Sequence, residues 1–449
     1  MTASFSVDGK RVAVAGAARS GIAATRLLVS HGARVTLSDV RPSVPEAEPL
    51  RALGVDLELG GHRVETFANA DLVVMSPGVP PEQPAMRAAR QAGVPVIGEL
   101  ELASRWARGR IVAITGTKGK STTTELTGRM LEAAGHQVTV GGNIGAPFSA
   151  QVDRSTPETF HVVEASSFQL EQIATFRPWI AVMLNFSPDH LDRHPSIEAY
   201  RAAKARIFEN QEPGDWAVIN ADDPFVIEMA KRGRATARRF SRRSSISDGT
   251  IVEGGWIVDR QPAASERLVP LDAIHLLGPH LVDDVMAAAT VGRIAGVAPA
   301  AMTAAVESFE GLEHAMERVA EIDGVWFVND SKATNVEAAL RAIESFDAGV
   351  VPILGGRFKG GDLKRLRAPI ASRAKAVVAI GEARPLVHEA LDGAVQVHDA
   401  PSLDAAVETA FALARPAGVV LLAPACASFD MFEDYAERGR RFKSAVKKL

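Results

Sequence analysis

At 449 residues the chain exceeds what one hydrophobic core accommodates, so two to four domains are expected. Hydrophobic residues make up 47% and charged residues 23%, and 50 Lys plus Arg against 54 Asp plus Glu give a net charge of -4; that is the balance of a soluble protein and argues against nucleic-acid binding by counterion release. Cys426 is the single cysteine, which excludes an intrachain disulfide and any multi-thiolate metal centre and fits a reducing, cytoplasmic setting. In chain order, short runs rich in Val and Ile alternate with longer Ala- and Leu-rich amphipathic stretches. They lie at Arg11–Ala17, Arg34–Asp39, Asp71–Gly78, Ile111–Gly116, Phe160–Ala165, Trp179–Phe186, Val350–Gly356, Ala376–Gly381 and Gly418–Cys426. Runs apolar on both faces, each followed by a helix signal, predict buried parallel strands in βαβ units. The opening residues predict no secretory signal, and no apolar run approaches the ~20 residues of a membrane span.

Three blocks are expected: 1–99, 100–311 and 312–449. The second contains a β-rich insert near Thr250–Ile274, where helix formers thin out, and the third brings fresh strands from Val325–Asn329 onward. The basic run Lys231–Arg243 reads as a solvated surface. In open α/β sheets ligands sit beyond the carboxyl ends of the strands, so the residues that end these runs carry the functional reading.

The strongest local signal follows Ile111–Thr115, where Gly116-Thr-Lys-Gly-Lys-Ser121 turns from a strand into a helix. Glycines let backbone N–H groups face phosphate oxygens, Lys120 supplies counter-charge, and the Ser121 hydroxyl suits Mg²⁺. The loop is a variant, because the usual first glycine is replaced by Ile114 and Gly116 takes its place. A nucleoside triphosphate is the expected ligand. The earlier turn, Gly16-Ala-Ala-Arg-Ser-Gly21 with Asp39 ending the next strand, has Ala18 where a dinucleotide fingerprint has glycine. A plain tight turn and a site for a nucleotide-linked substrate both remain open there. A nicotinamide dehydrogenase would leave the second loop unexplained, and a GTP switch would need a guanine-reading Asn-Lys-x-Asp that the chain lacks.

Four more clusters close strands. Glu164, in His161-Val-Val-Glu-Ala-Ser-Ser167, reads as a metal ligand, as a group orienting the nucleophile, or as a surface acid. Asn185-Phe-Ser-Pro-Asp-His-Leu-Asp-Arg-His194 is a loop between prolines, in which His190 suits Mg²⁺ directly or through water and His194 reads as surface. Asn329-Asp-Ser-Lys-Ala-Thr-Asn335 is a ligand-facing segment or, alternatively, a helix cap by Asp330 or Ser331. Gly355-Gly-Arg-Phe-Lys359 and Ala425-Cys-Ala-Ser-Phe-Asp430 offer Lys359 and Ser428 to an anion.

Taken with Gly141-Gly-Asn-Ile-Gly145, Glu164–Glu171 and Tyr200–Asn210, this order of motifs resembles the Mur ligases of peptidoglycan synthesis, nearest to their D-glutamate-adding members, from Gly16 to Phe442. The resemblance implies an α/β fold of three domains: a Rossmann-like N-terminal domain for the UDP moiety, a central P-loop ATPase-like domain and a Rossmann-like C-terminal domain. It implies an ATP-dependent ligase that adds D-glutamate to UDP-N-acetylmuramoyl-L-alanine through an acyl phosphate, giving ADP and phosphate, with two Mg²⁺ ions and a monomeric chain. A tripeptide-forming ligase, a folylpolyglutamate synthetase and a variant taking L-glutamate are the alternatives within the superfamily.

Position by position, the resemblance assigns Gly116, Thr117, Lys118, Gly119, Lys120, Ser121 and Thr122 to ATP, and Asp330 and Lys332 to the nucleotide. It assigns Ser121, Glu164 and His190 to metal, with Lys204 as a carbamylated lysine on the second ion; read from the residues alone, Lys204 passes as a surface lysine. Ser20, Asp39, Arg41 and Gly78 fall at the uridine pocket, Asn143, Gln169 and Tyr435 at the substrate, and Thr334, Lys359 and Ser428 at the incoming glutamate. The chain departs from the family in Ala315 after Gly311-Leu-Glu-His314, where the family carries Arg and the nearest basic residue is Arg318. It departs again in Leu281 and Asp284, which replace two asparagines of the segment beginning at Gly278, and in Tyr435, where Phe is frequent.

Overall fold

The computed structural model describes residues 5–190, 193–275 and 280–449. Among these, the strands form three sheets of five, nine and six. The first comprises β1 (Arg11–Ala15), β2 (Arg34–Asp39), β3 (Asp56–Leu59), β4 (Leu72–Met75) and β5 (Val96–Gly98), all parallel in the order β3-β2-β1-β4-β5. The order reverses between β1 and β4, the place where a doubly wound sheet opens a crevice.

The second sheet comprises β6 (Arg110–Thr115), β7 (Val138–Gly142), β8 (Phe160–Glu164), β9 (Ile180–Met183), β10 (Trp216–Asn220), β11 (Thr236–Ser241), β12 (Gly249–Glu253), β13 (Trp256–Gln261) and β14 (Ala264–Pro270). Its order is β14-β13-β12-β11-β10-β9-β6-β8-β7, so β6 again stands at a reversal. The strands from β12 to β7 are parallel, and β12, β13 and β14 make an antiparallel meander, the expected β-rich insert. Gly254 and Gly255 turn β12 into β13 with φ of 56° and 78°, the positive pair that a two-residue hairpin demands. The basic run is mostly surface and paired with acids outside it: Lys231 with Glu228, Arg232 with Glu209, Arg238 with Asp248 and Asp259, and Arg242 with Asp283.

The third sheet comprises β15 (Glu317–Ile322), β16 (Val325–Asn329), β17 (Val350–Gly355), β18 (Val377–Ile380), β19 (Val397–Asp399) and β20 (Gly418–Leu422). Its order is β15-β16-β20-β17-β18-β19, parallel apart from the β15–β16 hairpin. Val351, Ile353, Val378, Val420 and Leu422 are fully buried, as the doubly apolar runs require.

The chain divides into two compact units, the first holding the first two sheets and the second built chiefly from Ser308–Leu449. Within the first, one hydrophobic cluster extends from Val14, Leu28 and Leu100 to Phe148, Phe176 and Ile207, so the two sheets share a core. The buried Glu101 carboxylate reinforces this by accepting the backbone N–H groups of Ala174, Thr175 and Phe176 at 2.8 to 2.9 Å.

Candidate active site

β6 delivers Gly116–Gly119 to the start of the helix Lys120–Ala133. Gly119 has φ of 82°, and a Cβ there would lie 2.0 Å from the Asp284 carboxylate, so both conformation and space demand glycine. The Lys120 ammonium donates to the carbonyls of Gly116 and Thr117 at 2.9 Å each, folded over the loop it would share with phosphate. Ser121 and Thr122 begin the helix, half-buried. Ser121 Oγ donates at 2.7 Å to Glu164 Oε2, and Asn143 Nδ2 donates at 2.7 Å to Oε1 of the same carboxylate. Glu164 ends β8 beside β6 and is 1% exposed, so it is no surface acid.

The segment after β9 runs along the phosphate loop. Lys118 N–H donates to Asn185 Oδ1 at 2.9 Å and Asn185 Nδ2 returns a bond to Lys118 O at 3.1 Å. Ser187 N–H donates to Thr117 Oγ1 at 3.0 Å, and Asp189 lies 3.5 Å from Lys118 Nζ. Burial alone would raise the Asp189 pKa, but the charges of Lys118 and His190 and the His190 N–H hold it below the usual carboxylate range. His190 is exposed, with φ of 54°, and meets the Phe168 ring edge-on at 5.0 Å. His194, expected at the surface, is 3% exposed: it stacks on Phe168, its Nε2 is 2.9 Å from Ser167 Oγ, and its Nδ1 is 3.1 Å from Glu171.

Lys204 is also no surface residue. On the helix Ile197–Ala205 it shares the buried stripe of Tyr200 and Ala203 and is 2% exposed. Its Nζ donates to Gly116 O at 2.7 Å and lies 4.9 Å from the Tyr200 ring centroid. Burial first, and the neighbouring Lys120 charge second, push its pKa well below the ordinary lysine value. Tyr200, whose hydroxyl is 3.3 Å from Thr117 Oγ1, was not singled out by sequence reasoning, nor were Asn185 and Asp189. Among the described residues no three His, Cys, Asp or Glu side chains converge as a metal site. The hydroxyl of Ser121 and the carboxylate of Glu164 nevertheless suit Mg²⁺, a hard ion that fills most of its shell with water and phosphate oxygens.

A cavity of about 450 Å³ opens beyond β1, β2 and β4 and extends to Asn143. Ser20, Asp39, Arg41, Gly78, Asn143 and Gln169 all line it. Asp39 is already engaged: it accepts from Ala17 N–H at 2.6 Å and from Arg41 Nε at 2.9 Å, and the Arg41 guanidinium holds its carboxyl well below the usual range. Its work is therefore to fix the Gly16 turn and aim Arg41. Gln169 Oε1 accepts from Ser166 N–H and Oγ at 2.9 and 3.0 Å in a capping box, so the amide's orientation is set. Asn143 is common to the cavity and the Glu164 pair, so the cavity adjoins the phosphate loop.

In the second unit, Asp330 Oδ1 accepts from Met316 N–H at 3.2 Å and Lys332 N–H donates to His314 O at 3.0 Å. The helix Val336–Glu344 is capped by Asn335, whose Oδ1 takes Ala338 N–H at 2.8 Å; neither Asp330 nor Ser331 caps it. Thr334 lies between, its N–H on Lys332 O at 2.8 Å. Backbone bonds between Arg357 and Ala427, at 2.9 and 3.0 Å, join the loop of the exposed Lys359 to that of Ser428, which is 2% exposed. Arg438, 1% exposed and missed in the sequence, donates to Ser331 Oγ, Ser331 O and Cys426 O at 2.9 to 3.1 Å, tying the Ser331 segment to the loop of Cys426 and Ser428. Tyr435 stands 40% exposed at the start of that helix, Tyr435–Val446. Burial pushes the Cys426 thiol up to about 12, so it is inert. Of the departures, Arg318 stacks on Trp326 at 5.2 Å, Leu281 is buried, Asp284 abuts Gly119, and Gly278 lies outside the described residues.

Family models match almost end to end: a MurD-like N-terminal domain at residues 10–98, a Mur ligase middle domain at 114–292 and a Mur ligase glutamate ligase domain at 314–426. The UDP-N-acetylmuramoylalanine–D-glutamate ligase of Acidobacterium capsulatum is 48% identical over 98% of this chain and 96% of its own. The chain belongs to the Mur ligase family. The D-glutamate ligase of Koribacter versatilis is 45% identical over 99% of this chain and 98% of its own. Among solved structures, the UDP-N-acetylmuramate–alanine ligase of Thermotoga maritima superposes with a TM-score of 0.60 at 18% identity, over 98% of this chain and 99% of its own. The MurF ligase of the same organism, in complex with ADP, gives 0.60 at 17% over 98% and 96%. The three-domain α/β fold is thus that of a Mur ligase.

Proposed function

We propose that this protein joins D-glutamate to the alanyl carboxylate of UDP-N-acetylmuramoyl-L-alanine, with ATP converted to ADP and phosphate. The observation that carries the reading is the chain Asn143–Glu164–Ser121, which runs from the wall of the 450 Å³ cavity to the phosphate loop. A carboxylate whose nucleotide end occupies that cavity is delivered to the terminal phosphate of ATP. Its oxygen attacks the γ-phosphorus and the bond to ADP breaks; the glutamate amine then attacks the acyl carbon and phosphate leaves, with one ammonium proton released. Carboxylates acylate poorly, and the phosphoryl group supplies the leaving group.

The Lys120 ammonium, released from its loop carbonyls, disperses charge on the terminal phosphate. Ser121 and Glu164 would hold Mg²⁺, which neutralises phosphate charge when bound. Burial of Lys204 favours its neutral amine, the form that adds CO₂ to give a carbamate, and with His190 it is assigned to a second ion. Arg41 and Gly78 receive the uridine, Asn143 and Gln169 the muramoyl portion, and Lys359, Ser428 and Thr334 the glutamate, while Tyr435 contacts substrate and Asp330 and Lys332 serve the nucleotide. ATP and nucleotide sugars are cytoplasmic metabolites, which supports action there, and no described helix is long and apolar enough to cross a membrane. The test offers D-Glu, L-Glu and a diamino acid side by side with ATP and UDP-N-acetylmuramoyl-L-alanine. Phosphate release that requires the sugar nucleotide and D-Glu is expected; release without either substrate overturns the reading.

A further inference from the structure

The cavity and the phosphate loop serve two substrates that must meet within bonding distance, yet the cavity wall at Pro77–Val79 belongs to the first sheet and the loop to the second. Arg19 crosses at the cavity rim, its Nη1 donating to Gly145 O at 3.2 Å, and Arg193 crosses beside the phosphate loop. The guanidinium of Arg193 donates to the carbonyls of Gly78, Pro77 and Val79 at 3.0, 3.3 and 3.3 Å. Its flat face lies 4.8 Å from the Phe168 ring centroid. That ring also receives His190 edge-on at 5.0 Å and His194 stacked at 5.1 Å, and Phe168 directly precedes Gln169 of the cavity wall. On the other side of His190, Asn185, Ser187 and Asp189 are bonded to Thr117 and Lys118 as described above.

We infer that Arg193 is a positioning residue that keeps the sugar-nucleotide cavity and the phosphate loop in register, an assignment resting on the ligase reading. The wall segment uses its own amides inward, with Ser76 N–H on Ala15 O at 2.9 Å and Val79 N–H on Ser76 O at 3.0 Å. Its outward carbonyls converge on one planar cation, whose fork satisfies several acceptors at once where a lysine ammonium acts as a point charge. Losing that grip frees the Gly78 wall and His190 together. Misplacing a reacting carboxylate by about 1 Å lowers turnover by ~10²-fold, so the effect falls on kcat as well as on sugar-nucleotide affinity.

The test compares R193A, R193Q and R193K with the wild-type enzyme by calorimetry with UDP alone, by steady-state kinetics and by thermal melting. For R193A and R193Q the expected results are a UDP Kd raised ~10-fold, roughly one charge-assisted hydrogen bond lost, and kcat lowered ~10²-fold. KM for ATP should stay within about twofold and melting within a few degrees, with R193K intermediate, because a residue that only steadies the fold would move every parameter together. An unchanged UDP Kd or an unchanged kcat overturns the inference. So does collapse of all three variants, or an equal rise in KM for ATP, either of which makes Arg193 a purely structural tie. The ligase reading fails separately, if the wild-type protein releases phosphate without glutamate, and the UDP measurement stands apart from that result.

Discussion

Replacing Lys204 by Met separates catalysis from stability more cleanly than any other change in the first unit. Methionine nearly matches the lysine stem in volume and fits the stripe of Tyr200 and Ala203. The hydrogen bonds lost run from Nζ to Gly116 O at 2.7 Å and, longer, to Thr115 Oγ1 at 3.4 Å, together worth about 1 kcal/mol. That carbonyl keeps its second donor, Lys120 Nζ at 2.9 Å, so it is not stranded. Removing a buried polar amine from an apolar stripe offsets the loss by about the same amount. The net change is within ~1 kcal/mol, a melting shift of about 2 °C or less for a chain of this size. Turnover, in contrast, should fall by at least ~10²-fold, the scale of losing one preorganised electrostatic group. The assay is coupled phosphate release at saturating substrates alongside a thermal melt, with ¹³C NMR under labelled CO₂ reading the carbamate directly. K204A should regain part of its activity with short-chain carboxylic acids. Turnover of K204M within twofold of wild type refutes the reasoning and leaves Lys204 a packing residue.

Three further outcomes follow from the same geometry. K120A should lower kcat ~10²- to 10³-fold in the phosphate-release assay, since the terminal phosphate loses its counter-charge; near-normal turnover contradicts this placement of ATP. G119A should be inactive, because its Cβ meets the Asp284 carboxylate at 2.0 Å and its φ of 82° strains an L-residue; undiminished activity would show that the loop relaxes freely. Buried His161, with Nδ1 on Thr139 Oγ1 and Nε2 on Ser155 Oγ, is held by burial at a pKa of about 4 against an ordinary 6.5. The folded state disfavours its charged form, so its contribution is complete above pH ~6.5 and is lost as pH falls toward ~4, amounting to about 3 kcal/mol at the acid end. Melting of wild type and H161Q across that range should therefore converge as pH falls, and parallel curves would contradict the assignment.

Strand ends and glycine turns were legible in the sequence because they follow from local chemistry: an apolar run must be buried, and a glycine flanked by Lys and Ser before a helix makes a phosphate cradle. The meander from β12 to β14 was legible because helix formers thin out over Thr250–Ile274. Burial of polar side chains was not. Lys204 and His194 look solvated until the helix Ile197–Ala205 packs against the phosphate loop and Phe168 receives the imidazole. The stripe Tyr200, Ala203, Lys204 carried a trace of this, since those three share one helix face. Arg438 and Arg193 bond to carbonyls 107 and 115 positions away in sequence, and no local pattern encodes such a pairing. The cap at Asn335 went to the last of several equally good cap residues, a choice made by where β16 releases the chain.

The central claim, that a bound acid is activated by taking phosphate from ATP, is tested most directly with ¹⁸O in both oxygens of the alanyl carboxylate. Attack on the γ-phosphorus followed by aminolysis leaves one labelled oxygen in the released phosphate and the other in the new amide. Mass spectrometry should find one ¹⁸O per phosphate formed. Phosphate carrying no label would mean that water, not the substrate carboxylate, attacked the nucleotide.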